Sequence, residues 1–175
     1  QILGPRGELD LGGGSSFTGV ALLGEDWVYT KLLFKPATST SKLICLRGGS
    51  VTHTNKFVKG LSIEPFSNAY NGMGSGIWLD GQDFAVVDEV VIKNLNYGLH
   101  ITNTHAGSFS EFNTFMNIRL LDCIHGIAFE RNGGNDSFHG NRFHDVLINI
   151  PENGYGIYSK GITGVNYIYN NYFRI

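Results

Sequence analysis

Proline and cysteine are scarce, four and two residues in a chain of 175. Cys45 and Cys123 lie far apart, with neither CxxC nor Cys/His ligand spacing. They read as small buried hydrophobes, not as a disulfide framework or a metal site. Basic charge is scarce too: 13 Lys and Arg against 15 Asp and Glu give a net charge of −2 and a pI near 6.3. That balance carries no nucleic-acid footprint, and no polybasic run marks a membrane surface. Apolar runs fall far short of the roughly 20 residues that cross a bilayer, so membrane insertion is not expected. Amphipathic helical stretches of useful length are missing, which excludes mixed α/β folds and helical repeats. No Gly-x-Ser-x-Gly elbow or Ser/His/Asp order suggests acyl hydrolysis. Gly72-Met-Gly-Ser-Gly76 is not followed by a helix, so it reads as a turn and not a phosphate cradle. No secretory signal is visible, the chain begins at Gln1, and it ends at Arg174-Ile175 inside a strand-like run. The expectation is an excised or processed segment of a longer chain.

What the chain has is glycine, asparagine and aromatic residues, with 24 Gly, 16 Asn and 13% aromatics. Gly and Asn tolerate the positive φ of tight turns, so this mixture favours many short strands. The strands repeat. Asn113-Thr-Phe115 is answered by Asn141-Arg-Phe143, and Ile118-Arg-Leu120 by Val146-Leu-Ile148, both at an offset of 28 residues. A fixed period in the twenties, with alternation inside each unit, marks a β-solenoid.

Three columns align on this period. The first is apolar and points inward: Phe34, Ile63, Ile92, Leu120 and Ile148, with Phe66, Leu95 and Cys123 three residues behind its middle members. The second starts another strand of each coil: GIWL (76–79), GLHI (98–101), GIAF (126–129) and GIYS (156–159). The third is polar: Asn55, Asn113, Asn141 and Asn171, skipped by the rung near Phe84. Stacked at the interstrand spacing of roughly 4.8 Å, such asparagines bond to one another along a ladder, so their role reads as structural. The expected fold is all-β, a parallel β-helix of about six coils of roughly 28 residues. Residues 1–41 form an opening coil and loop, and 42–175 the regular coils. The opening holds strands at 7–11, 19–23 and 27–34, a glycine turn at 12–14, and a loop from Pro36 to Ser41.

The opening GELDLGGGSSFTGVALLGEDWVYTKLLF (7–34) resembles the first coils of the pectate-lyase superfamily. The later rungs, N-x-F-x-x-[IV]-x-[IL] followed by G-[IL]-x-[LIF], resemble the β-helical shafts of bacteriophage tailspikes. The resemblance covers nearly the whole chain, and its motifs are all core and turn positions, so no catalytic motif carries over. It implies a right-handed coil, a homotrimer on the virion tail, and a bacterial capsule or O-antigen polysaccharide as partner. A secreted bacterial protein is the alternative location.

The site must come from the columns. In the GIxL strands the inward residues alternate with outward ones, giving the column Trp78, His100, Ala128, Tyr158 and the column Asp80, Thr102, Glu130, Lys160. Rings beside carboxylates suit a glycan groove, because sugars stack their apolar faces and bond through their hydroxyls. Asp80 and Glu130 stand two rungs apart, roughly 10 Å between backbones. Leaning side chains bring that near the roughly 6.5–9.5 Å of an inverting glycosidase. Glu130 beside Arg131 reads as the ionised base, and Asp80 next to Trp78 as the acid. Trp78, His100, Thr102, Arg131, Tyr158 and Lys160 read as substrate-binding. The competing reading makes both carboxylates solvated surface groups.

Other acidic candidates are Asp83, Asp88 and Glu89 around the strand at 84–87, and Glu111, Asp136 and Asp145 in turns. His139, His144 and Asp145 invite a metal reading, but nothing requires them to converge, and neither metal nor cofactor is expected. The sequon at 135–137 carries no weight. The function expected is recognition of a bacterial surface polysaccharide with hydrolysis. Two alternatives stay open: a non-catalytic receptor-binding shaft, and a polysaccharide lyase or epimerase. The lyase chemistry wants a denser basic or Ca²⁺-binding site than Arg131 and Lys160 provide.

Overall fold

The structure, a computed structural model, describes residues 2–3, 9–10, 19–48, 55–104, 109–131, 138–161 and 172–174. The glycine turn at 12–14, Asp136, the sequon and Asn171 lie outside them. The chain runs β1 (Ile2–Leu3), β2 (Leu9–Asp10), β3 (Gly19–Leu23), β4 (Lys31–Phe34), β5 (Lys42–Arg47), β6 (Asn55–Pro65) and β7 (Ser75–Asp80). It continues through β8 (Val86–Lys93), β9 (Tyr97–Asn103), β10 (Thr114–Leu121), β11 (His125–Arg131), β12 (Arg142–Asn149), β13 (Tyr155–Lys160) and β14 (Tyr172–Arg174). From β5 onward the strands alternate between two sheets. One has the order β1-β4-β6-β8-β10-β12-β14 with β3 also on β6, and the other β13-β11-β9-β7-β5-β2. Every pairing is parallel. Each coil therefore lays one strand in each sheet, which makes a parallel β-solenoid. It has about four complete turns, fewer than the expected six, because β1, β2 and β14 are too short to complete a coil.

The strands of the first sheet turn a corner. Gly60, Glu89, Asn117 and Asp145 have positive φ (70°, 53°, 53° and 53°) and occupy the same place in successive coils. One left-handed residue inside a strand inserts a bulge and bends it. The bulge also resets the alternation, so Phe115, Ile118 and Leu120 all point inward and are fully buried.

Between the sheets the columns interlock. A Cβ on Gly76 would lie 2.6 Å from Ile92, one on Gly98 2.8 Å from Leu120, and one on Gly126 2.7 Å from Ile148. Gly76, Gly98 and Gly126 are thus sockets for the aliphatic column of the facing sheet. Phe115, Phe143 and Phe173 stack at 4.7 and 4.6 Å, nearly coplanar. The asparagine ladder forms at Asn113 and Asn141, both fully buried. Asn113 Nδ2 donates to Gln82 O (2.7 Å) and to Asn141 Oδ1 (2.9 Å), while its Oδ1 accepts from Ala85 N (2.8 Å). Asn141 Nδ2 donates in turn to Ser110 O at 3.0 Å. Each amide satisfies backbone groups of the preceding coil that would otherwise be buried and unpaired. Cys45 and Cys123 are free and buried, and burial pushes the Cys123 thiol up to about 12.

Four expectations need correction. Ile63 pairs with Leu32, not Phe34, because β3 and β4 both lie on β6 and residues 24–30 between them face only Gly60 and Leu61, which shifts the register. Phe34 is buried but packs over Gly74. Phe66 is 45% exposed, unlike Leu95 and Cys123. Asn55 stands in register with Phe84, one residue off the ladder, where Lys56 stands instead and donates its ammonium to Arg47 O. The strand expected at 27–34 begins only at Lys31, because Asp26 folds residues 27–29 into a turn. Its Oδ1 accepts from Val28 N (2.6 Å) and its carbonyl from Thr30 N (2.7 Å).

Candidate functional site

Both outward columns stand in the register that the spacing implied. Trp78 pairs with His100, His100 with Ala128, and Ala128 with Tyr158; Asp80 pairs with Thr102, Thr102 with Glu130, and Glu130 with Lys160. β5 adds an earlier rung, with Cys45 opposite Trp78 and Arg47 opposite Asp80. The strip is not an open groove. Trp78, Asp80, His100 and Glu130 are 5–8% exposed, and Thr102 and Ala128 are fully buried. Long side chains from neighbouring positions lie across it. It opens only at β13, where Lys160 is exposed and Tyr158 half-buried. Neither carboxylate is therefore the solvated surface group of the competing reading.

Glu130 is gripped from both sides. Its Oε2 lies 2.9 Å from His100 Nε2 and its Oε1 3.2 Å from Lys160 Nζ. The hydrogen bond from His100 contributes most to holding the carboxyl at about 2; burial opposes it, and Lys160 adds to the lowering. The expected partner, Arg131, sits at the end of β11 opposite Asn103 and is not the group responsible. Behind His100, Nδ1 lies 3.2 Å from Ser75 Oγ. Ser75, His100 and Glu130 thus form a serine–histidine–carboxylate chain that the sequence order did not reveal. Ser75 is only 1% exposed, so it does not present a nucleophile to a substrate.

Asp80 sits in a different net. Its Oδ1 accepts from Thr102 Oγ1 (3.1 Å) and Thr104 N (2.8 Å), and its Oδ2 from the Thr104 hydroxyl. Thr104 follows β9 immediately and closes over the carboxylate.

The rings are arranged otherwise than expected. Lys42 Nζ lies 3.3 Å from the centre of the Trp78 ring, so that face is already covered, and Arg47 approaches to 5.2 Å. The aromatic cluster is centred instead on Tyr97, His125 and Tyr155, in register on three coils. His125 stacks on Tyr97 at 4.8 Å and on Tyr158 at 4.4 Å, and Tyr97 stacks on His100 at 4.2 Å. Burial first, then His100, lowers the pKa of His125. Its Nδ1 is buried with no hydrogen-bond partner. The signal was available in sequence, since each ring immediately precedes the glycine of a GIxL strand.

The remaining candidates disperse. Asp88, buried, bonds Lys59 (2.9 Å) and Asn117 (2.9 Å), which outweigh burial and lower its pKa. Glu89 and Asp145 are corner residues of the first sheet. Asp83 accepts from Glu111 N at 3.1 Å, and the Glu111 carboxylate pairs with His139 Nδ1 at 2.7 Å. His144 tilts against Tyr172 instead of meeting His139. Among the described residues no three His, Cys, Asp or Glu groups gather as metal ligands, and no helix is long and apolar enough to cross a membrane.

Stacked parallel coils with a covered, charged column on one outer face define a parallel β-helix, of the fold that phage tailspikes use. No family model matches the chain. Among curated proteins it is 35% identical over 169 residues to depolymerase 1, capsule K3-specific, of Klebsiella phage KP32. The match takes in 93% of this chain, which spans 19% of that relative's length.

Proposed function

We propose that the chain is part of a phage tailspike-type protein that recognises a bacterial surface polysaccharide and hydrolyses it. The observation that carries this reading is its likeness, along nearly its whole length, to a capsule-specific depolymerase. Glu130 acts as the base: its outward carboxylate is ionised at neutral pH, and it becomes basic enough to take a proton from water when the sugar displaces Lys160, one of the groups that hold its pKa down. Asp80, two coils away and roughly 10 Å distant between strand backbones, acts as the acid on the far side of the sugar, in the inverting arrangement, once the Thr104 donors on both its oxygens move aside and it carries a proton. Thr104 releases Asp80 as substrate enters. Trp78, Tyr158, Arg131 and Lys160 bind the glycan, with Lys42 leaving the Trp78 ring to expose its face, while Thr102, fully buried, holds Asp80 instead of touching the sugar. The assembly is a homotrimer that acts on the virion tail, outside the host cell.

Mass spectrometry of capsule and O-antigen polysaccharides incubated with the protein tests this. Oligosaccharides one water heavier than the repeating unit establish hydrolysis. Unsaturated uronate ends move the protein to the lyases, and binding without any product leaves a receptor-binding shaft. Sedimentation equilibrium reads the trimer directly.

A further inference from the structure

The carboxylate of Glu130 has two unlike neighbours, and the difference assigns a role to each. His100 lies on β9, one coil before Glu130, with its side chain 8% exposed. Lys160 lies on β13, one coil after, and its side chain is 60% exposed. A contact to a long exposed lysine is screened and exchangeable, whereas a buried charge-assisted hydrogen bond is neither. Oε2 is therefore the anchored oxygen and Oε1 the one that solvent or a sugar hydroxyl can reach.

The anchor is itself anchored. An ionised Glu130 is an acceptor only, so the hydrogen between it and His100 belongs to Nε2. Nδ1 then faces the Ser75 hydroxyl, which donates to a neutral imidazole and accepts from an imidazolium. Tyr97, stacked on the imidazole at 4.2 Å and 14°, fixes the plane of the ring. The titratable groups around this unit are Lys160 and Tyr158 on β13, His125 on β11, and Tyr97 on β9.

We propose that His100, held by Ser75 and Tyr97, is the positioning residue of Glu130, and that Lys160 is a displaceable cover on its working oxygen. This rests on Glu130 being the base of the reaction. It adds that the two partners fail differently when removed.

The test uses the carboxyl resonance that E130Q removes from the ¹³C spectrum of the Glu-labelled protein. In H100L its titration midpoint should rise by about one pH unit or more, since the largest support for the ionised form is gone. In H100Q, which keeps an N–H near Nε2, the rise should be smaller, and S75A should give a small rise with the fold intact. K160M should move it least. In depolymerisation assays the acid limb of kcat should move upward with the midpoint in H100L and H100Q. K160M should instead change KM and its salt dependence. An unmoved midpoint in both H100Q and H100L, or a larger rise in K160M than in H100L, overturns the assignment. The resonance reports on His100 even if no glycan is cleaved, so failure of the hydrolase reading is seen separately.

Discussion

The interior columns and the outward columns are built on the same repeat, yet they use it in opposite ways. Inside, most positions stay alike from coil to coil: Ile63, Ile92, Leu120, Ile148; Val58, Val87, Phe115, Phe143, Phe173; and Asn113, Asn141, whose place is taken by Ala85 and Lys56 on the earlier coils. Outside, on the second sheet, two columns change type at every coil: Asp80, Thr102, Glu130 and Lys160 share one, and Trp78, His100, Ala128 and Tyr158 the next. Sameness is what a stack needs, because each member packs on its own kind at the rung spacing. Difference contributes nothing to stacking, so a varied column that is also buried and charged calls for another reason, and the one proposed above is chemistry.

That contrast is sharpest at the core. Phe143 lies between Phe115 and Phe173 and meets Phe129 edge-on. Phe143→Ala should cost about 3–5 kcal/mol in chemical denaturation. Asn113→Ala should cost roughly 2–3 kcal/mol, because Ala85 N, Gln82 O and the Asn141 amide all lose a partner. Neither change touches the outward column, so glycan binding by the surviving folded fraction should be unaltered.

The outward column should respond to pH instead. Glu130 is held below its ordinary value, at about 2 against 4.5. Its contribution is fully present above pH 4.5 and is lost as pH falls through 2. Relative to E130Q, the wild type should hold an advantage on the order of 2 kcal/mol near neutral pH, after discounting the exposed Lys160. That advantage should vanish near pH 2, as read from parallel melts. The smallest effect belongs to the exposed end: Lys160→Met should change stability by about 0.5 kcal/mol or less, and that change should shrink in high salt.

Much of this contrast was legible in the chain alone, for a physical reason. A 28-residue period fixes register, and register fixes which side chains share a face, so both outward columns and the inner column from Ile63 onward followed from spacing. The corners were hidden, since Glu89, Asn117 and Asp145 carry no glycine to announce a left-handed residue. The slip at Phe34 has another origin: residues 24–30 separate β3 from β4 where β6 uses only Gly60 and Leu61, so the repeat loses count in the opening coil. Burial of the site was also out of reach. It is made by side chains leaning across coils (Lys42 and Arg47 onto Trp78, Thr104 onto Asp80) and along a strand (Tyr97 onto His100), and spacing gives register but not lean. The Ser75–His100–Glu130 chain runs diagonally over three coils, so no single column contains it.

The central claim is that the varied outward column does chemistry while the uniform inner columns do not. The direct measurement is product analysis by mass spectrometry on a polysaccharide that the protein binds, comparing wild type with E130Q and D80N. Water-added oligosaccharides are expected from the wild type, and a loss of at least about 100-fold in rate for each variant, with binding retained and each variant still folded at the assay temperature. Undiminished cleavage by E130Q and D80N, or no cleavage of a bound glycan by the wild type, would contradict it.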